Sequence, residues 1–125
     1  MAKVIGLGGV FLKCKDPDAL KQWYVDNLGM PDSDYPGISL PHADLEKDGY
    51  SVFGLFKTET EYFKPSSREF MVNLMVDDLD GALARVAAAG AERVGDIEDS
   101  EFGKFGWFMD PDGNKVELWQ PPKTG

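Results

Sequence analysis

The sequence has very few of the residues from which cross-links and metal centres are commonly built. A single cysteine, Cys14, excludes an internal disulfide framework, and a single histidine, His42, excludes a site made of several imidazoles. No apolar run approaches the roughly 18 residues of a membrane span. The N-terminal residues also lack the apolar stretch of a secretion signal, so we expect a cytoplasmic protein with no membrane partner.

Basic residues are also scarce. The 13 lysines and arginines face 22 acidic residues, which gives a formal net charge of −9. A nucleic-acid backbone would be repelled by that average charge, so we expect no nucleic-acid partner. With 125 residues, of which 42% are hydrophobic and 12% aromatic, the chain has the size and composition of one globular domain, residues 1–125.

The sequence does contain an internal repeat. Residues 10–18 align with residues 72–80 at a constant shift of 62, with valine, leucine and two aspartates at matching places. Both segments precede a helical pattern. We therefore expect two copies of one unit, residues 1–63 and residues 64–125, that share a core.

The first copy has clear helix signals after a predicted strand over residues 9–14. Asp16 is a natural N-cap, Pro17 suits the first helical position, and Gly29 is a typical C-terminal residue. Between them runs an apolar stripe, formed by Leu20, Trp23, Tyr24 and Leu28.

The second copy follows the same plan after a predicted strand over residues 71–76. Asp78 caps the helix and Gly90 ends it, and the apolar stripe consists of Leu79, Ala82, Leu83 and Val86. Three short strands should follow each helix, with hairpin turns at Asp48-Gly49 and Asp112-Gly113. The prediction is an α+β fold in which two β-α-β-β-β repeats form a curved eight-stranded sheet around a central cavity.

With this repeat, the chain resembles the vicinal oxygen chelate superfamily, which includes glyoxalase I, bleomycin-resistance proteins and extradiol dioxygenases. The most specific match is residues 108–121, FMDPDGNKVELWQP, supported by residues 10–18, Trp23-Tyr24 and residues 76–80. The resemblance covers nearly the whole chain. It implies the fold more strongly than an activity, because members share a scaffold and differ in chemistry.

The resemblance also implies four inward positions for metal ligands, two in each copy. In this sequence they fall on Gly9, on Phe53 or Gly54, on Met71 and on Glu117. Only Glu117 is a donor that a hard divalent ion prefers. We therefore expect no metal site and no cofactor.

Glu117 is the candidate catalytic residue, as a carboxylate that faces the cavity and carries a proton; the alternative is a surface glutamate.

Asn73 replaces an apolar residue in a predicted strand, so an inward amide would need a ligand, a water or Glu117 as its partner. Aromatic residues alternate with glycines from Phe102 to Phe108, and some of these rings must be core residues. The space that Gly103 and Gly106 leave would also suit an aromatic wall beside a flat ligand. The candidate ligand-binding residues are Phe11, Phe53, Asn73, Phe105, Trp107 and Trp119. Tyr62 and Arg68 lie near the link between the copies, from which they could reach the mouth of the cavity.

Two functions remain open. The first is a glyoxalase-like lyase or isomerase that acts on a small carbonyl compound, with Glu117 moving a proton. The second is a binding protein, like the bleomycin-resistance proteins, that sequesters a small aromatic or drug-like molecule without chemistry. Either function has a small-molecule ligand, and in either case we expect a homodimer.

Overall fold

The computed structural model describes residues 1–34, 37–44, 47 and 49–122. In the described part, helix α1 spans Pro17–Leu28 and helix α2 spans Leu79–Ala88. A single turn of 3₁₀-helix covers His42–Asp44. Neither α-helix, of 12 and 10 residues, has the length and apolarity needed to span a bilayer.

Both helices begin as their sequences predict. The Asp16 carboxylate accepts from the Ala19 amide at the start of α1, and Asp78 accepts from the Gly81 amide at the start of α2. The two caps satisfy backbone donors that the first helical turn leaves free. They stand 62 residues apart, which is the shift of the sequence repeat.

The C-terminal ends of the helices differ from each other. Gly29 ends α1 with a left-handed backbone, φ 65°, as predicted. The C-cap of α2 is Ala89, one residue before the predicted Gly90, whose own φ of 94° turns the chain away from the helix.

Five strands form one sheet in the order β1-β5-β4-β2, with β3 also paired to β4. Their bounds are Val72–Met75 for β1, Glu92–Arg93 for β2, Glu98–Ser100 for β3, Gly103–Met109 for β4 and Lys115–Gln120 for β5. Strand β1 runs parallel to β5, and the other pairs are antiparallel. All five strands lie in the second predicted copy.

The second copy follows the predicted β-α-β-β-β order with one interruption. The strand expected directly after α2 is divided into β2 and β3, which pair with different parts of β4. Gly95, with a φ of 72°, lies between the two pieces, and such a backbone conformation breaks a regular strand. The predicted hairpin at Asp112-Gly113 joins β4 to β5, and Gly113 has the positive φ of a turn residue.

The first copy contains its helix but no strand among the described residues. Residues 9–14, predicted as a strand, pair with no other strand there, and neither do the described residues that follow the predicted Asp48-Gly49 turn. Asp48 itself lies outside the described residues. The eight-stranded sheet is therefore not formed by the described chain. The physical reason is visible in the exposed apolar side chains of these segments, such as Val52 at 68% and Leu55 at 83%, which have no core to cover.

The core lies between the two helices and one face of the sheet. Leu79, Leu83 and Val86 of α2 pack with Val116 and Leu118 of β5, and each of these side chains is at most 1% exposed. The stripe of α1 joins the same core through buried Tyr24 and the half-buried Leu20, Trp23 and Leu28. Both predicted apolar stripes are thus confirmed as core faces.

A buried carboxylate joins α1 to the turn that precedes β5. Asp110 Oδ2 accepts from the Tyr24 hydroxyl and from Asn114 Nδ2, both at 2.8 Å. Asp110 Oδ1 accepts from the backbone amides of Asp112 and Asn114, both at 2.9 Å. Burial raises the pKa of Tyr24, and the charge of Asp110 and its hydrogen bond raise it further.

We predict that Tyr24→Phe lowers the free energy of unfolding by about 1–2 kcal/mol, since it removes one hydrogen bond to a charged group and leaves three donors on Asp110. Asp110→Ala should cost more, about 3 kcal/mol, because it leaves several buried donors without their acceptor. Urea unfolding measures both values. Tyr50→Phe, at a ring that is 57% exposed, is the control, and an equal loss in this control would contradict the assignment.

A second prediction concerns alkaline pH. The pKa of Tyr24 is higher in the folded chain than the ordinary value of about 10, so the folded state retains the phenolic proton longer than the unfolded state does. This contribution to stability is complete below pH ~10 and is lost as the pH rises above it. Urea midpoints measured from pH 8 to pH 11 should therefore fall more steeply for the wild type than for Tyr24→Phe. Parallel curves would show that Tyr24 does not contribute.

Candidate functional site

The sheet face opposite the helices carries the candidate site, and we call it the site face. Strand residues alternate between the two faces of a sheet, so the burial of Val116 and Leu118 against α2 leaves Lys115, Glu117 and Trp119 on the site face. From β1 and β4 the same alternation adds Asn73, Phe105 and Trp107. The register places Glu117 directly between Asn73 and Trp107.

Glu117 is buried, with 9% of its surface exposed, and both carboxylate oxygens have a donor. The Tyr62 hydroxyl donates to Oε1 at 2.7 Å, and Asn73 Nδ2 donates to Oε2 at 3.0 Å. The surface alternative for Glu117 is therefore wrong in this structure. The partner that the Asn73 amide requires is Glu117 itself.

Tyr62 lies above the sheet and is 37% exposed. Its ring meets Trp107 edge-on at 6.2 Å between centroids and stacks on Phe56 at 5.5 Å. Partial burial raises the pKa of Tyr62, and the hydrogen bond to Glu117 together with the carboxylate charge raises it further. The phenol consequently stays protonated and acts as a hydrogen-bond donor.

Lys115 adds a buried cation that we did not predict from the sequence. Its Nζ donates to the Tyr62 carbonyl at 2.5 Å and lies 5.2 Å from the centroid of the Tyr62 ring and 5.8 Å from that of Trp107. Burial lowers the pKa of Lys115, although the Glu117 charge opposes the shift. The available signal was its spacing: two residues before Glu117 in a strand, it must share the same face.

Two aromatic side chains form a platform beside this polar group. Phe105 and Trp119 are stacked, with centroids 6.2 Å apart and planes 10° from parallel. Trp119 Nε1 donates to the Phe102 carbonyl at 2.8 Å, which fixes the orientation of the indole. Parallel rings held in this way suit a flat aromatic partner.

The open space inferred from the glycines of β4 is filled by the chain itself. A side chain at Gly106 would lie 2.5 Å from a methyl group of Leu83, so this glycine allows α2 to pack closely on the sheet. A side chain at Gly103 would collide with the Gln120 carbonyl of the neighbouring strand. Both glycines serve internal packing, and the interpretation of them as ligand space was wrong.

The structure brings four of the six candidate ligand residues together with Glu117: Asn73, Phe105, Trp107 and Trp119. Phe11 and Phe53 are not part of this group, since they are 100% and 81% exposed in the unpaired first-copy segments. Their role in binding stays a prediction. Tyr62 does reach the site, whereas Arg68 binds the Lys13 carbonyl and Asp112 beside a separate shallow cavity of about 220 Å³.

The residues at the four ligand positions do not fit a hard divalent cation. Gly9 has no side chain, Met71 offers only a thioether, and Phe53 or Gly54 has no donor. The Glu117 carboxylate is engaged by Tyr62 and Asn73. Among the residues that the structure describes, no three His, Cys, Asp or Glu side chains come together in a way that could hold a metal ion.

Comparison with solved structures gives the same fold. TnmS3, an antibiotic-binding protein from Streptomyces sp. CB03234, is 25% identical over 97% of this chain and 100% of its own, with a TM-score of 0.59. A protein from the mobile metagenome of V. Pseudocholerae is 19% identical over 98% and 99%, with a TM-score of 0.61. A glyoxalase/bleomycin resistance protein from Streptomyces sp. CB03234 is 24% identical over 86% and 93%, with a TM-score of 0.52.

No curated protein matches the sequence significantly. The family profile of the glyoxalase-like domain matches residues 9–119, which is most of the chain and includes the site face. This match agrees with the resemblance that residues 108–121 indicate in the sequence. The chain therefore belongs to the glyoxalase-like domain family.

Proposed function

We propose that this protein binds a small, flat aromatic or drug-like molecule on the site face and sequesters it without chemical change. The observation that carries the proposal is the stacked pair of Phe105 and Trp119 beside a buried carboxylate, Glu117, which lies two residues from Trp119 on the same face of the strand. Apolar walls with a few fixed polar groups are typical of small-molecule sites. The similarity to TnmS3, an antibiotic-binding protein, supports the same class of function.

The arrangement gives little support to a glyoxalase-like lyase. That reaction needs a group that polarises the substrate carbonyl, and three of the four positions that would supply a metal carry no suitable donor. Glu117 would also have to leave its two donors before it could take a proton from a substrate. Sequestration needs fewer groups than catalysis, because it requires only a surface that fits the ligand and fixed hydrogen-bonding groups.

The first test is calorimetric titration with 2-methoxynaphthalene, a flat two-ring probe. We expect saturable binding that Trp119→Ala and Phe105→Ala each weaken by about tenfold, since a lost aromatic contact costs on the order of 1 kcal/mol beyond its buried area. Phe102→Ala is the matched control, because this ring is 60% exposed and only its backbone carbonyl bonds to Trp119.

Two results would count against sequestration. Binding that is unaffected by either platform variant would place the ligand elsewhere. Turnover of methylglyoxal with glutathione that is lost in Glu117→Gln would instead support the lyase.

We further propose that the protein is a homodimer in the cytoplasm and that association completes the two-repeat, eight-stranded sheet. The first-copy segments support this proposal, because Val10, Phe11, Val52, Phe53 and Leu55 are each more than half exposed. Exposed apolar segments with unpaired backbone groups favour pairing with another chain. A second copy offers matching segments and a sheet of the same shape.

Light scattering at tens of micromolar is expected to give twice the chain mass of 13.8 kDa. Phe11→Lys should shift the equilibrium toward the monomer, because it places a charge on the most exposed aromatic residue of these segments. Leu40→Lys is the control, at an exposed apolar residue outside them. A monomer mass for the wild type would exclude the dimer.

A further inference from the structure

The clearest unexplained feature of the site is that one of the chain's own side chains occupies it. The Tyr62 phenol lies over the site face and donates to Glu117. Its ring contacts Trp107 edge-on, and the Lys115 ammonium lies above the Tyr62 ring. These are the contacts that a bound phenol would make there. The cavity expected at this position is filled by Tyr62.

The fit of Tyr62 is incomplete at one atom. Trp107 is buried, and its Nε1 has no hydrogen-bond partner among the residues that the structure describes. The indole N–H is near enough to the Tyr62 hydroxyl to offset part of the rise in the Tyr62 pKa, but the geometry is not that of a hydrogen bond. A buried donor without an acceptor destabilises the folded chain, because it has lost its hydrogen bonds to water.

A free phenol can satisfy both groups, whereas Tyr62 satisfies only one. Its oxygen is not tied to a chain segment, so the hydroxyl can donate to Glu117 and accept from Trp107 at the same time. The ammonium of Lys115 favours an electron-rich ring beneath it, which a phenol also provides.

The Tyr62 side chain is placed so that it can leave. It is 37% exposed, and Phe56, which stacks on it, is 54% exposed in a segment without strand pairing. The backbone of Tyr62 is held separately, because its carbonyl accepts from Lys115. Rotation of the side chain therefore opens the site face without releasing the chain.

We propose that the ligands are flat phenols, and that a ligand hydroxyl replaces the Tyr62 hydroxyl between Glu117 and Trp107 while the Tyr62 side chain moves out. This inference rests on the proposed function and names the ligand class of the same site. No covalent step is involved. One donor to the carboxylate is exchanged for another, and the indole N–H gains an acceptor.

The test compares 2-naphthol with 2-methoxynaphthalene, which has the same rings but no hydroxyl donor. In calorimetry with the wild type, we expect 2-naphthol to bind about tenfold more tightly, as a hydrogen bond to a charged group provides. Tyr62→Phe removes the competing hydroxyl and keeps the ring. It should tighten 2-naphthol binding about threefold or more, with a smaller change for the ether.

Two further variants separate the roles of the partners. Trp107→Phe should weaken 2-naphthol binding several-fold and leave the ether nearly unchanged, since it removes the N–H and keeps an aromatic ring. Tyr24→Phe is the matched control: it also removes a tyrosine hydroxyl from a buried carboxylate, but on the helix side of the sheet. In Tyr24→Phe the ratio of the affinities for 2-naphthol and 2-methoxynaphthalene should be the same as in the wild type. Circular dichroism checks that each variant is folded.

The outcomes distinguish this inference from the proposed function. Equal binding of both probes to the wild type, with no change in Tyr62→Phe, would overturn the phenol preference and leave an aromatic binding site. Failure of both probes to bind the wild type, Tyr62→Phe and Tyr62→Ala, with all three folded, would overturn the inference and the proposed function together.

Discussion

The Asp110 carboxylate accepts four hydrogen bonds, and through them it joins helix α1 to the turn between β4 and β5. Two of the donors are turn amides, so the carboxylate determines how the chain reverses and where β5 begins. A strand that starts one residue earlier or later would present its other face to the core. The position of Glu117 on the site face therefore depends on a contact made seven residues before it.

The same turn also holds the chain segment that precedes α1. Asp112 accepts from the Lys15 amide at 3.2 Å and from the Arg68 guanidinium at 3.0 Å, and Arg68 also donates to the Lys13 carbonyl. One end of the first-copy segment is thus attached to the second copy. The residues that precede Lys13 have no strand partner in the described chain.

The capping and turn residues, together with the spacing of apolar residues, were enough to predict the helices and most of the second-copy sheet. Asp16, Asp78 and Gly29 act locally, through backbone groups a few residues away, and such signals do not depend on the rest of the fold. The division of β2 from β3 could not be read in the same way, because an isolated Gly95 marks a turn and a bulge equally well. The first-copy strands have a strand-like composition, but strand formation requires a partner, which composition does not supply.

Prediction of the candidate site had a similar limit. Alternation in β5 placed Glu117 and Trp119 on one face once Val116 and Leu118 were assigned to the core, and it would have placed Lys115 there as well. The hydrogen bond from Tyr62 to Glu117 joins residues that are 55 positions apart, so no local pattern in the sequence predicts it. The glycines of β4 were misinterpreted because a missing side chain leaves space that either a ligand or the chain itself can fill. At Gly106 the space is filled by Leu83.

The polar groups of the site face are costly for a sheet to bury. Glu117 and Lys115 are each less than 10% exposed, and an apolar pair of similar volume in such places is often neutral or stabilising. The chain compensates with a tyrosine hydroxyl, an amide and a backbone carbonyl, yet it leaves the Trp107 N–H without a partner. Folding alone gives no reason to place a carboxylate, an ammonium and an indole donor around one phenol. A ligand that completes their hydrogen bonds does give such a reason, because the cost of burying these groups is then offset in the complex.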